Sequence, residues 1–165
     1  MNAETIISEL SLQPLPHEGG WFRRVHTDQR QLPPTKSSPP RAVASAIYYL
    51  ITQDGFSALH RLIDSAETFH WHAGDSVELL MLHGDGSGEK CRLGMSLAAG
   101  DQPMAVVPTG SWQGSRLADG AQFGFALLSV VVTPEFLWED FILGDRDDLV
   151  KGWPDWHEEI VHLTR

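Results

Sequence analysis

From Ala42 onward, turn residues cut the chain into short apolar runs at close intervals, and this punctuation limits the fold more than any other feature. Residues 43–52 are apolar and rich in strand formers, and Asp54-Gly55 follows them as a hairpin signal. Further strand-like runs cover 56–63, 67–72, 77–83, 90–97, 105–107, 111–117 and 122–132. Gly84-Asp85-Gly86-Ser87-Gly88, Gly100-Asp101, Thr109-Gly110 and Asp119-Gly120 separate them. Many short strands at this spacing predict an all-β sandwich or barrel. The two ends differ. Asn2 is placed to cap an amphipathic helix over 3–10, with Ile6, Ile7 and Leu10 on one stripe, and Pro14 and Pro16 stop it. Asp145 is placed to cap a C-terminal helix that Gly152 and Pro154 end. Residues 32–40 contain Pro33, Pro34, Pro39 and Pro40 and read as a surface loop.

At 165 residues the chain fits a single domain, 1–165, large enough for a core. A net charge of −10 repels phosphate backbones, so nucleic acid is not an expected partner. No run of apolar residues reaches the roughly 18 that a membrane span needs. The acidic start, MNAETIISEL, lacks the features of a signal peptide. A single cysteine, Cys91, allows no intrachain disulfide and suits a reducing cytoplasm. It sits between Lys90 and Arg92, which would lower a thiol pKa; the plainer reading is an unreactive strand cysteine.

Candidate chemistry concentrates in Phe69-His70-Trp71-His72-Ala73-Gly74-Asp75, followed by Glu78. On a strand His70 and His72 share one face, and Phe69 and Trp71 share the other. With the aromatics in a core, the histidine face is either a barrel lumen or a solvated surface. Glu78 shares a face with Leu80 and Leu82, and a carboxylate there needs a metal, a protonated histidine or an arginine. Gln113 follows the turn Pro108-Thr109-Gly110 and could offer its amide to the same cavity. His60 alternates with Phe56, Ala58 and Leu62, which marks either a satisfied core group or a buried general base. Glu18-Gly19-Gly20-Trp21-Phe22-Arg23 reads either as a ligand wall built by Trp21 and Arg23 or as an N-terminal strand packing its aromatics on the barrel. No Ser-His-Asp set, CxxC pair or phosphate loop is present.

His70-x-His72 with Glu78, then Pro108-x-Gly110 and Gln113, resembles the two motifs of the cupin superfamily. His17-Glu18-Gly19-Gly20-Trp21-Phe22-Arg23, Ala46-Ile47-Tyr48-Tyr49-Leu50, Phe56-Ser57-Ala58-Leu59-His60-Arg61 and Phe136-x-x-Glu139-Asp140-Phe141 resemble its DUF985 (cupin 5) group. The resemblance implies a double-stranded β-helix, or jelly roll, with short N- and C-terminal helices, a pocket at one barrel end and homodimers formed by sheet pairing. Two positions depart from the metal-binding members: Glu78 comes later after the histidines than their acid, and Gln113 stands where they place a histidine.

The expectation is a cytoplasmic homodimeric cupin that binds a small, sugar- or nucleotide-like molecule. Its expected pocket residues are His60, His70, His72, Glu78 and Gln113, with Trp21, Arg23 and Tyr49 as walls. His70, His72, Glu78 and Gln113 are the candidate ligands of one divalent metal ion. His60 is the candidate base of a metal-free epimerase. A metal-assisted isomerase, hydrolase or oxygenase and a scaffold with a vestigial pocket are the other readings.

Overall fold

The structure is a computed structural model, and it describes residues 2–34 and 39–165. Part of the proline-rich loop, residues 35–38, lies outside the described residues. Helix α1 (Ala3–Glu9) starts where expected, with the Asn2 side chain accepting the Thr5 N–H at 3.0 Å. The first strands are β1 (Gln13–Pro14), β2 (Trp21–Thr27), β3 (Gln31–Leu32) and β4 (Arg41–Ala42). Next come β5 (Ser45–Thr52), β6 (Ser57–Leu62), β7 (Ala66–Gly74), β8 (Val77–Leu82) and β9 (Gly88–Leu93). Strands β10 (Met104–Val107), β11 (Trp112–Leu117), β12 (Phe125–Thr133) and β13 (Phe141–Leu143) complete the β region. Helix α2 (Arg146–Gly152), capped by Asp145, and α3 (His157–His162) close the chain.

Two antiparallel sheets face each other. One has six strands in the order β1-β2-β5-β12-β7-β10, and the other has five, β13-β6-β11-β8-β9. Strands β5 to β8 alternate between the sheets, and so do β10 to β13, which is the winding of a jelly roll. Period-2 alternation sends Tyr49, Ile51, Phe69, Leu79, Met81, Leu128 and Val130 into the space between the sheets.

Helices cover both outer faces. Leu59, Leu80 and Leu82 pack under Leu149, Ile160 and Leu163 of the C-terminal segment, so Leu80 and Leu82 are apolar on the outer face because it is covered there. Ile6 and Leu12 cover Leu50 and Phe125 on the other sheet. The Asp75 carboxylate accepts the backbone N–H groups of Gln122, Phe123 and Gly124, tying down the loop at the end of β7 away from Glu67. Cys91 packs half-buried against the core, and burial pushes its thiol up to about 11, the opposite of activation. No helix among the described residues is long and apolar enough to cross a membrane.

Candidate functional site

The open end of the sandwich holds a cavity of about 260 Å³. Its floor is polar and its walls are mostly aromatic and aliphatic: Phe22, Ile47, Phe69, Val130, Phe136 and Trp138. Three strands and one loop supply the floor. His60 on β6 and Gln113 on β11 are directly paired across the five-stranded sheet, and both point inward. Glu67 on β7 shares the inner face with Phe69 and reaches across from the other sheet.

Glu18 comes from the loop before β2. Left-handed backbone at His17 and Gly19 (φ +67° and +104°) turns this loop back onto the barrel. Gly19 lies so close to the Phe56 carbonyl oxygen that a Cβ would sit 2.5 Å from it. Ala58 N–H donates to the Glu18 carbonyl at 2.9 Å, and the Arg165 guanidinium donates to the His17 and Glu18 carbonyls.

His60 is buried and stacked on Phe141, with ring centroids 5.1 Å apart. Its Nδ1 lies 2.8 Å from the Ala58 carbonyl oxygen, which orients the ring and requires a proton on that nitrogen. Nε2 then faces Glu18 Oε2 at 3.7 Å, Glu67 Oε1 at 3.8 Å and the Gln113 amide nitrogen at 3.3 Å. The Gln113 amide also donates to Glu67 Oε1. Ser57 Oγ donates to Glu18 Oε1 at 2.8 Å, and the Tyr49 hydroxyl donates to the Gly19 carbonyl at 3.0 Å.

Burial pulls the His60 pKa down, but Glu18 and Glu67 outweigh it and hold the imidazole up at about 9. At neutral pH His60 is therefore the imidazolium, its Nε2–H directed at the carboxylates. When it loses that proton, Nε2 is free to accept from the Gln113 amide instead. Burial also raises the Glu18 carboxyl above its ordinary range, and it holds the Tyr49 phenol well above its own. The floor thus combines a cationic acid with a carboxylate of raised basicity.

The residues expected from the sequence fall in different places. Tyr49 and His60 line the cavity, and Gln113 sits behind them against His60 and Glu67. His70 and His72 do not enter the barrel. The interior is the core itself, so the face shared by buried Glu67 and Phe69 is the lumen face, and both histidines lie on the outer face of the sheet. His72 is exposed there, with Nε2 2.8 Å from Ser129 Oγ. Glu78 is on the outer face of the other sheet, where Arg116, its cross-strand partner, pairs with it at 2.7 Å. Trp21 and Arg23 also point outward, Trp21 against the α1 cluster and Arg23 over the Tyr48 ring. The inward residues of β2 are Phe22 and Arg24, one position along.

His70, His72, Glu78 and Gln113 therefore do not converge, and these four residues do not fit a shared metal ion. Among the described residues no group of three or more His, Cys, Asp or Glu side chains could hold one.

Glu18 and Glu67 went unnoticed as site residues in the sequence. The signal for Glu67 was present: it alternates with Phe69 and Trp71, so a carboxylate shares a face with two aromatics. Glu18 carries no such periodic mark, because a loop places it.

The chain matches Cupin superfamily (DUF985) over residues 4–144. It belongs to that family. Two solved structures are similar along their whole length. A hypothetical protein from Leishmania major is 28% identical, with a TM-score of 0.91 and 99% of each chain covered. A protein from Shewanella oneidensis is 32% identical, with a TM-score of 0.87, covering 100% of this cupin and 98% of that chain. Two remoter structures share the fold alone. The oxalate decarboxylase of Lactobacillus farciminis is 11% identical with a TM-score of 0.57, and this cupin spans 43% of its length. A dTDP sugar isomerase from Desulfovibrio desulfuricans is 13% identical with a TM-score of 0.52, covering 76% of this chain and 85% of that one. No curated protein matches.

Proposed function

We propose that this cupin binds a small organic molecule in the barrel-end pocket and exchanges a proton with it at His60. The observation that carries the reading is the placement of His60. A buried imidazole, oriented by a backbone carbonyl, faces two carboxylates at the floor of a cavity with aromatic walls. An acid and a base side by side in a desolvated pocket are what proton transfer to and from a carbon or oxygen acid requires. The cavity suits a ring of sugar size. A nucleotide fits the lining less well, because its phosphates would need cations, and Arg24 at the mouth is already paired with Glu135 at 3.0 Å. The dTDP sugar isomerase shares the barrel and acts, by its name, in isomerisation. That likeness is one of fold, and the proposal rests on His60 and its neighbours.

The test uses monosaccharides and nucleosides with the purified protein, followed by NMR. Saturable shifts of the His60 ring and Trp138 indole signals are expected on binding. Incubation of a bound compound in D₂O should wash deuterium into one of its C–H positions, and His60→Gln should abolish the exchange. Binding without exchange would leave a binding protein, and no shift at the pocket would leave a scaffold.

A further inference from the structure

We infer that the ligand of this pocket carries a protonated amine. The inference rests on the pocket being a ligand site, as proposed above, and concerns only the charge of what enters.

At the cavity floor two carboxylates, Glu18 and Glu67, face one cation, His60. Their other close partners, the Ser57 hydroxyl and the Gln113 amide, are neutral donors and supply no compensating charge. Arg24 lines the cavity, but its guanidinium is committed to Glu135 and to the Phe136 carbonyl. With both carboxyls ionised, the floor holds one buried negative charge more than the described residues neutralise. A buried charge without a partner is costly, and proteins pair such charges or neutralise them.

A second observation points the same way. Gln113 is 2% exposed, and its Oε1, on the amide that touches both His60 and Glu67, is buried without a hydrogen-bond partner among the described residues. The floor is thus short of positive charge, and the layer directly behind it holds an acceptor without a donor. An ammonium group at the floor supplies the missing charge. The aromatic walls above the floor favour it further, because ring faces attract cations in desolvated sites. An anion would meet the carboxylate charge, with no uncommitted cation among the described lining residues to receive it.

Three probes that share a six-membered ring isolate the head group: cyclohexylamine, cyclohexanol and cyclohexanecarboxylate. Each is titrated into the intact protein at pH 7, with dissociation constants read from the Trp138 indole and His60 ring signals. The amine should bind at least tenfold more tightly than the alcohol, and the carboxylate should bind more weakly than both. Glu18→Gln and Glu67→Gln, each first checked for a native spectrum, should each erase most of the amine's advantage over the alcohol. If the alcohol or the carboxylate matches the amine, the inference falls and the pocket reading stands. The inference also falls if the amine's advantage survives in both variants. If none of the three shifts the pocket signals, the pocket reading falls, and the inference with it.

Discussion

The two faces of β7 carry different chemistry within nine residues. Glu67 and Phe69 enter the barrel, one at the floor of the cavity and the other in its wall and the core. His70 and His72 stand on the opposite face, where His72 is exposed and lies 2.8 Å from Ser129 Oγ. A sequence places the histidines and the carboxylate on opposite faces but does not say which face is enclosed. In this fold the enclosed face holds the charged site as well as the apolar core. A buried carboxylate is tolerated there because Gln113 and His60, brought by other strands, meet it.

Substitutions can test this contrast. The largest effect should come from Phe69→Ala, which leaves a void between the sheets and should cost about 3–5 kcal/mol in chemical denaturation. His72→Ala, three residues along on the outer face, should change stability by less than about 0.5 kcal/mol and leave ligand shifts at Trp138 intact. A large loss from His72→Ala would mean that the outer face is also built for stability.

The inner face should also make stability depend on pH. The folded-state pKa of His60 lies above its ordinary value of 6.5, at about 9. Its stabilising contribution is complete below about pH 6.5 and is lost as pH rises through about 9, a change on the order of 3 kcal/mol. Glu18, also raised, acts with the same sign, its contribution present below 4.5 and lost as the carboxyl ionises in the folded protein. Denaturation midpoints from pH 6 to pH 9.5 should fall, and His60→Gln should flatten that part of the profile. A wild-type profile that is flat across this range would show that the carboxylates do not hold the proton on His60.

Glu78 offers a smaller test. Its pair with Arg116 is about a quarter to a third exposed at each side chain, and Glu78→Gln should cost no more than about 1 kcal/mol. A loss of several kcal/mol would place this pair among the buried charges. The smallest expected effect on the fold belongs to the outer sheet face, where Met104 and Val106 are exposed near His70. We expect copies of the chain to meet there as a homodimer. Light scattering should report twice the monomer mass, and Val106→Glu should halve it while leaving the monomer folded.

The strand pattern was legible because it is local. Alternating apolar residues and Gly-Asp turns mark β5 to β12 within a few residues of their observed ends, and the caps at Asn2 and Asp145 mark the starts of α1 and α2. The motif set was enough to point to the family that the comparison then identified. Part of the site was legible as well: a histidine on an apolar strand face, as at His60, is unusual enough to flag. Trp21 and Arg23 show the limit. Reading the aromatic segment correctly as a wall requires knowing the parity of β2, and a shift of one residue exchanges them for Phe22 and Arg24.

The sequence by itself determined which residues share a face and where each strand stops, because periodicity and turn conformation depend on neighbours in the chain. Only the tertiary structure decided which face became the interior, which carboxylates met His60 and which metal candidates were kept apart. Those outcomes depend on two sheets closing on each other and on a glycine-bent loop delivering Glu18 from 42 positions before His60. Pairings at that range carry no local signature, since the energy of a buried charge is set by the partners that folding brings to it.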